Sequence, residues 1–266
     1  MSRRMPGYDP DAPVIVIEIG NTTTAIGTWH KDQLKTPLSV STDDEAGFDQ
    51  ALEAHVDAMP KRRVAAVIIG SVVPQALQRI QGCLENRFDL NTLVVGDTIP
   101  LPIDVGVADA TAIGVDRVCA AAAAYDKLQT GCIIVDFGSA VTVDLVDDEG
   151  TLVGGAILPG LKMQLRALHE CTAALPEVKP GLPETPYGRN TTEAMQAGVC
   201  RGVVGAVRAL VEAYANSLNR WPQVLGTGGD LTLVGPICDF LDTQVQYLVL
   251  RGVGVAYMKH LKAMGV

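Results

Sequence analysis

The sequence contains one short pattern twice, 118 residues apart, and this duplication constrains the fold more than any other feature. Glu18 to Thr24 follows an apolar β-branched run and places a glycine two residues after the acid, ahead of hydroxyl residues. Asp136 to Thr142 repeats the arrangement after a second apolar run. Strand, polar turn and strand thus recur at the start of each half. We expect an α/β fold of two similar domains with a cleft between them.

The periodicity of the remaining chain predicts helices and strands around these turns. Thr191–Leu218 has apolar residues at three- and four-residue spacing, which indicates a long amphipathic helix. Near the end of the chain, we predict a strand over Gln246–Leu250 and a helix over Gly254–Lys262. We divide the chain into a flexible tail (1–12), a first domain (13–125) and a second domain (126–266). Helices are also predicted over Phe48–Met59, Pro74–Phe88, Gly114–Leu128 and Leu161–Leu168.

The two turns have the chemistry that phosphate binding requires. The glycine permits a tight turn and leaves room for a phosphate beside the backbone. Exposed N–H groups and hydroxyls can donate to phosphate oxygens, and the acid can hold a cation that neutralises them. Either turn alone is more typical of an ordinary hairpin with a polar tip, and it is the duplication that favours phosphate binding. Gly226 to Gly229 adds a third glycine turn, suited to adenosine or to a simple loop.

Composition and charge exclude several other classes of protein. Hydrophobic residues make up 48% and charged residues 19%, which is enough for a sizeable core. The net charge of −9 disfavours nucleic acid and anionic membrane surfaces as partners. None of the six cysteines forms a CxxC pair, and no apolar segment at the N-terminus resembles a secretion signal. These features predict a cytoplasmic protein with reduced thiols.

Seven segments, in the same order, resemble motifs of the type III pantothenate kinase (Bvg accessory factor) family. The resemblance as a whole runs over most of the chain, from about Val14 to Leu261. The two acid–glycine turns resemble the family's first and second phosphate motifs. The other five segments are Ser71–Pro74 (SVVP), Gly114–Arg117 (GxDR), Gly154–Gly160 (GGxIxPG), Thr172–Pro176 (TAxLP) and Asn190–Ala194 (NTxxA).

This resemblance implies a fold, an activity and a set of ligands. The fold would be two ribonuclease-H-like domains of the actin-like ATPase superfamily, assembled as a homodimer. The activity would be ATP-dependent phosphorylation of pantothenate to 4'-phosphopantothenate, the first step of coenzyme A synthesis. Mg²⁺ and a monovalent cation, K⁺ or NH₄⁺, would be required.

By motif position, the resemblance also implies roles for individual residues. Asp116 would be the general base, and Asp136 would be the ligand of the monovalent cation. ATP would be bound by Glu18, Ile19, Gly20, Asn21, Thr22, Thr23, Thr24, Ala25 and Ser139. Pantothenate would be bound by Gly114, Val115, Asp116, Arg117 and Thr191.

The chemistry of Asp116 and Arg117 suits these roles. A guanidinium can bind the carboxylate of pantothenate through two parallel hydrogen bonds, and a carboxylate can accept the proton of the attacking hydroxyl. A salt bridge at the start of a helix is the structural alternative for the pair.

Two departures from the family pattern keep other functions open. Glu18 replaces the family's aspartate, which displaces the carboxylate by about 1.5 Å. Leu101 to Ile113 lacks the tyrosine and the Asn-Pro pair often found before the GxDR motif. The alternatives are a non-catalytic nucleotide-binding regulator and a kinase for another small hydroxy acid.

Overall fold

The computed structural model describes residues 12–59, 64–90, 92–109 and 112–265. The chain divides into two compact units. Unit 1 comprises 1–104, 109–126 and 247–266, and unit 2 comprises 105–108 and 127–246. The predicted tail, 1–12, lies outside the described residues except for Ala12.

Unit 1 is built on a five-stranded mixed sheet in the order β3-β2-β1-β4-β5. The first three strands form an antiparallel meander, and β4 and β5 extend the sheet in parallel with β1. The strands are β1 (Val14–Ile19), β2 (Thr23–His30), β3 (Gln33–Ser41), β4 (Val67–Ser71) and β5 (Thr92–Val94).

Helices cover both faces of this sheet, which explains why β1 is a nearly continuous apolar run. Ile15, Ile17 and Ile19 are buried in one core with residues of the first two helices. The last helix of the chain packs against β1 and β4. Among the described residues, the helices of unit 1 are α1 (Glu45–Ala58), α2 (Pro74–Phe88), α3 (Val115–Leu128) and α7 (Leu248–Met264).

Unit 2 repeats the same plan with a six-stranded sheet. Strands β7, β8 and β9 form an antiparallel meander, and β10 lies parallel to β7, as β4 lies parallel to β1. The predicted duplication is therefore confirmed and extends to a third strand in each unit. The strands are β6 (Asp104–Val105), β7 (Cys132–Phe137), β8 (Ala140–Val146), β9 (Thr151–Pro159), β10 (Gln223–Thr227) and β11 (Thr243–Gln244), and the helices are α4 (Leu161–Glu170), α5 (Thr191–Ser217) and α6 (Leu231–Val234).

The long helix α5 confirms the predicted amphipathic segment. Val199, Val203, Val207 and Val211 follow its buried face and pack in the core of unit 2. By length and composition, α5 is the one helix among the described residues that is long and apolar enough to cross a membrane. Its most apolar stretch has a mean hydropathy of 1.3, and 44% of that stretch is buried within the protein.

Two predictions about the end of the chain differ from the structure. The strand predicted over Gln246–Leu250 is wrong, because α7 begins at Leu248 and continues to Met264 as one buried helix. A short apolar run does not distinguish a buried strand from a buried helix. The division at 125/126 placed 247–265 in the second domain, whereas the structure packs them in unit 1. This placement follows from the contact of α7 with β1 and β4.

Candidate active site

The first acid–glycine turn joins β1 to β2 at the edge of the unit 1 sheet. The Gly20 N–H donates to the Thr23 carbonyl at 3.0 Å and closes the turn. A Cβ on Gly20 would lie 3.1 Å from that carbonyl and 3.5 Å from Glu18 Oε1. The absence of a side chain at position 20 therefore lets the Glu18 carboxylate lie over the turn.

Thr42 stabilises this turn through contacts with Gly20, Thr22 and Thr24. Its hydroxyl donates to the Gly20 carbonyl at 2.8 Å and lies 3.1 Å from the Thr24 hydroxyl. Its backbone N–H donates to the Thr22 carbonyl at 3.1 Å. Both threonine side chains are buried, so these bonds form in a region that excludes water and fix the shape of the turn.

The predicted ATP-binding residues of this turn divide into two groups. Asn21, Thr22 and Thr23 are exposed at the tip, where their side chains can meet a ligand. The side chains of Ile19, Thr24 and Ala25 are buried in the fold. These three residues can contact a nucleotide only through their backbone.

The second acid of unit 1 lies at the start of α3. Asp116 Oδ1 accepts a hydrogen bond from the Arg117 N–H at 2.8 Å. A Cβ on Gly114 would overlap the same oxygen, so the carboxylate folds back over the glycine. This geometry explains the glycine two residues before the acid. Val115, Asp116 and Arg117 are all half-buried.

A buried cysteine shows that the two acids of unit 1 lie close together. Cys119 is one turn beyond Asp116 and has no exposed surface. Burial, followed by the negative charges of Asp116 and Glu18, raises the pKa of its thiol far above the ordinary value. Glu18 pairs with Gly70, and a Cβ on Gly70 would lie 3.8 Å from Cys119 Sγ, so the structure brings Glu18 and the first turn of α3, with Asp116, to the same end of the sheet. In the sequence they are almost 100 residues apart.

The register of β1 and β4 places this site at one edge of the sheet. Glu18 pairs with Gly70 and Ile19 with Ser71, so the two parallel strands end side by side. A Cβ on Gly70 would lie 3.8 Å from Cys119 Sγ. Ligand sites of open α/β sheets form at the carboxyl ends of such strands.

The acid of the second turn, Asp136, lies between two glycine turns of unit 2. Gly138 follows it in the turn that joins β7 to β8, and a Cβ there would lie 3.2 Å from Asp136 Oδ1. Gly228 has φ +99°, and a Cβ there would overlap the same oxygen. The two glycines leave a small space around the carboxylate that any side chain at position 228 would fill.

The other side of this turn is covered by the start of α4 and the residue before α6. A Cβ on Gly160 would overlap the carbonyl oxygen of Ser139, so the chain passes directly over the turn there. The Asp230 N–H donates to the Phe137 carbonyl at 2.9 Å. Ser139 itself is exposed.

Thr191 lies in unit 2 as the first residue of α5, with an exposed side chain. Asn190 caps the helix by accepting from the Glu193 N–H at 2.9 Å, and Glu193 accepts from the Arg189 N–H at 2.8 Å. This reciprocal capping fixes where the helix begins and which way it leaves the loop. The predicted site residues therefore fall into two sets, one in each unit.

Comparisons with known proteins agree with this geometry. The family model for type III pantothenate kinase matches residues 14–213. A type III pantothenate kinase of Geobacter sulfurreducens is 33% identical over 252 residues, which cover 93% of this chain and 99% of that protein. The chain belongs to the type III pantothenate kinase family. The predicted resemblance is confirmed.

Solved structures show the fold. A Baf family protein from Campylobacter jejuni superimposes with a TM-score of 0.61 at 18% identity, covering 94% of this chain and 100% of that one. An archaeal actin homologue gives a TM-score of 0.50 at 11% identity, covering 92% and 99%. The predicted actin-like α/β fold is confirmed. As a member of a kinase family with this fold, the chain uses ATP together with a divalent cation.

The acid of each turn has the oxygen ligands that hard cations prefer. Among the residues that the structure describes, no group of three or more His, Cys, Asp or Glu side chains is placed to hold a metal ion. Mg²⁺ in kinases is typically held by one or two carboxylates together with substrate phosphates, and Glu18 is such a carboxylate. The space beside Gly228 is bordered by the Asp136 carboxylate and the Phe137 carbonyl, whose oxygens are suitable ligands for a larger cation.

Motif matching did not identify three residues that shape the site. Thr42 lies outside every motif, so no sequence signal marks it. Cys119 is part of the alanine-rich run of α3, where a small buried residue is ordinary. Gly228 belongs to the third glycine turn, but its contact with Asp136 depends on the pairing of β10 with β7.

Proposed function

We propose that the chain transfers the γ-phosphate of ATP to the primary hydroxyl of pantothenate, forming 4'-phosphopantothenate and ADP in the first step of coenzyme A synthesis. One observation supports this most directly within the family match. Glu18 from the phosphate turn pairs with Gly70, which packs against α3 one turn beyond Asp116 of the GxDR segment, so both acids lie at the same end of the unit 1 sheet. A cation-binding acid and a proton acceptor thus lie together, as phosphoryl transfer to a hydroxyl requires.

Asp116 is the general base of the proposed reaction. The hydroxyl oxygen of pantothenate forms a bond to the γ-phosphorus, and the bond from that phosphorus to the β,γ-bridging oxygen breaks. The hydroxyl proton passes to Asp116, and ADP leaves with the bridging oxygen. Because Oδ1 already accepts from the Arg117 N–H, we assign Oδ2 as the oxygen that takes the proton.

The remaining residues bind and orient the substrates. Arg117 pairs with the pantothenate carboxylate, and the backbone of Gly114 and Val115 contacts the same substrate. Thr191 adds a hydroxyl to the pantothenate site.

ATP binding uses the exposed tip of the first turn, the backbone of Ile19, Gly20, Thr24 and Ala25, and the Ser139 hydroxyl. Glu18 would hold Mg²⁺, which would neutralise charge on the phosphates, and Asp136 would hold K⁺ or NH₄⁺, which would supply further positive charge.

Release of ADP tests the proposed function. Purified protein is incubated with ATP, Mg²⁺ and K⁺, with and without pantothenate, and ADP is measured by a coupled assay. We expect ADP formation that depends on pantothenate. Turnover only with another hydroxy acid would show that this acid, and not pantothenate, is the substrate. Nucleotide binding without turnover on any acid would favour a regulatory protein. The regulatory alternative is included because Glu18 replaces the aspartate of the family motif.

We predict that Glu18→Asp retains wild-type activity or exceeds it. The shorter acid matches the family motif, and Gly20 leaves space beside the carboxylate for a cation or a water to adjust. The measurement is kcat and the Mg²⁺ dependence of pantothenate-dependent ADP release. A loss of more than about tenfold would mean that the site is adapted to glutamate. Glu85→Asp, an exposed substitution on α2, controls for the change in side-chain length.

We also propose a homodimer that uses the open face of α5. A Cβ added to Gly198, Gly202 or Gly205 would meet nothing within 4 Å, so this face can accept another helix at short distance. We predict that light scattering gives twice the chain mass and that Gly202→Arg gives the mass of one chain. Gln50→Arg on α1 is the control and should stay dimeric. A monomeric wild-type protein would contradict the proposal.

We assign the protein to the cytoplasm, with small molecules and its own second copy as partners. Its net charge of −9 supports the expectation that neither nucleic acid nor an anionic membrane is a partner.

A further inference from the structure

Thr42, which stabilises the first acid–glycine turn, is itself held by an arginine of α2. Arg79 Nη2 donates to the Thr42 carbonyl at 2.6 Å, and Nη1 donates to Glu45 Oε1 at 2.7 Å. Arg79 lies outside the seven motif segments. Its guanidinium joins α2 to the short segment between β3 and α1, and this segment contacts the phosphate turn.

The hydroxyl of Thr42 orients the peptide group that links Gly20 to Asn21. It donates to the Gly20 carbonyl at 2.8 Å, so this carbonyl points toward Thr42. In a planar trans peptide the N–H group points opposite to the carbonyl, and the Asn21 N–H therefore points away from Thr42. Because Thr42 is buried and Asn21 is exposed, this donor faces the open side of the turn, where a phosphate oxygen can accept from it.

The bond to the Thr42 carbonyl is the stronger of the two polar contacts that join Arg79 to this segment. The side chain of Glu45 is 71% exposed, and an ion pair so open to water stabilises a protein little. Thr42 is 5% exposed, and the carbonyl of such a residue needs a hydrogen-bond donor. A charged donor makes this bond stronger than a neutral one would. The guanidinium therefore fixes Thr42 and is more than a surface ion pair.

Helix α2 is a firm support for Thr42, because the start of the helix is attached to the strand that leads into the same turn. The N–H of Val72, just before the helix, donates to the Ile19 carbonyl at 3.1 Å. Ile80, the residue after the arginine, is buried in one core with Ile19. The helix thus contacts the backbone on which the turn is built at two separate points, Ile19 and Thr42.

We infer that Arg79 acts through Thr42 as a positioning residue for the phosphates of ATP. The inference rests on the proposed function, in which the first turn binds these phosphates, and it adds a residue that the motifs do not include. In this role Arg79 makes no contact with the nucleotide. It holds the backbone of Thr42, whose hydroxyl keeps the Asn21 N–H directed toward the ligand. Without the guanidinium, the peptide group gains freedom that must be lost again when ATP binds.

Titration calorimetry with ATP and with adenosine, in the presence of Mg²⁺, tests this inference. For Arg79→Met, we expect ATP affinity to fall by about tenfold, the effect of losing one charge-assisted hydrogen bond, and adenosine affinity to stay unchanged. Arg87→Met is the matched control. It removes a guanidinium from the same helix, but one whose ion pairs join α2 to Asp49 and Glu53 of α1 instead of to Thr42. Both ligands should bind this control as they bind the wild-type protein.

A double-mutant cycle tests the route through Thr42. Thr42→Val removes the hydroxyl that orients the Gly20 carbonyl and keeps the size of the buried side chain. If Arg79 acts through this residue, adding Arg79→Met to Thr42→Val should lower ATP affinity by less than about threefold further, because the two residues act on one contact. A full tenfold loss in both backgrounds would exclude this route.

Two results with the single variant would overturn the inference. Unchanged ATP affinity in Arg79→Met would show that the turn does not depend on the arginine. An equal loss for ATP and adenosine would indicate a general structural role. Since these titrations contain no pantothenate, a wild-type protein that binds ATP but releases no ADP would reject the proposed activity alone.

Discussion

Asp116→Asn should lower the turnover of pantothenate by about 10²- to 10⁴-fold, the usual contribution of a general base. The amide retains an oxygen that can accept from the Arg117 N–H, so the start of α3 should keep its geometry. What is lost is the oxygen that takes the proton. The measurement is kcat for pantothenate-dependent ADP release, together with ATP affinity, which should change little.

The control for this variant is Asp126→Asn, an exposed substitution near the end of the same helix. It removes one negative charge from α3 and should leave kcat near the wild-type value. Wild-type turnover in Asp116→Asn, with circular dichroism unchanged, would remove Asp116 from the role of base.

Gly228→Ala should destabilise unit 2 and weaken nucleotide binding. The residue has φ +99°, which side chains rarely adopt, and the added Cβ would overlap Asp136 Oδ1 and lie 2.5 Å from the Phe137 carbonyl oxygen. The strain and the overpacking together should lower the free energy of unfolding by about 2–5 kcal/mol. Urea unfolding followed by circular dichroism measures this change. ATP titration measures the loss of nucleotide affinity that we expect from the displacement of Asp136.

The neighbouring glycine provides a matched control. A Cβ on Gly229 would meet nothing within 4 Å, so Gly229→Ala adds the same methyl group one residue further on. Its free energy of unfolding should change by less than about 0.5 kcal/mol, as for most exposed substitutions. Equal effects of the two substitutions would show that the space around Asp136 does not depend on Gly228.

The sequence predicted the local parts of the fold, including the two acid–glycine turns and the strands that flank them. Each turn is a short segment in which an apolar strand, an acid and a glycine follow directly in the chain, so its pattern is complete within a few residues. The pattern of α5 is also contained in a continuous segment, because its apolar residues recur with a clear helical period. Both features are confirmed in the structure.

Relations between distant residues could not be predicted in this way. The closeness of Glu18 and Asp116 depends on α3 packing beside Gly70 of β4, which pairs with Glu18 of β1, and no periodicity contains that information. The edge strand β3 was also absent from the predicted hairpin. It contains Pro37 and has Thr36 at φ +47°, features that do not resemble a regular strand.

The environment of the third glycine turn, Gly226 to Gly229, also depends on residues that are distant in the sequence. Its sequence is typical either of adenosine binding or of a simple loop. The parallel pairing of Thr227 with Asp136 and the close approach of Gly228 to the same residue show that this turn borders the second acid. The pairing joins strands that are separated by most of unit 2, so it had to be read from the structure.

The packing of α7 has a consequence for how the protein is made. A Cβ on Gly252 would overlap the backbone of Cys119, so α7 touches the helix that presents Asp116 without intervening side chains. Because synthesis proceeds from the N-terminus, every residue of unit 2 leaves the ribosome before α7 does. Unit 1 begins first and is completed last, and until then the hydrophobic surface that α7 covers is open to chaperones and to aggregation.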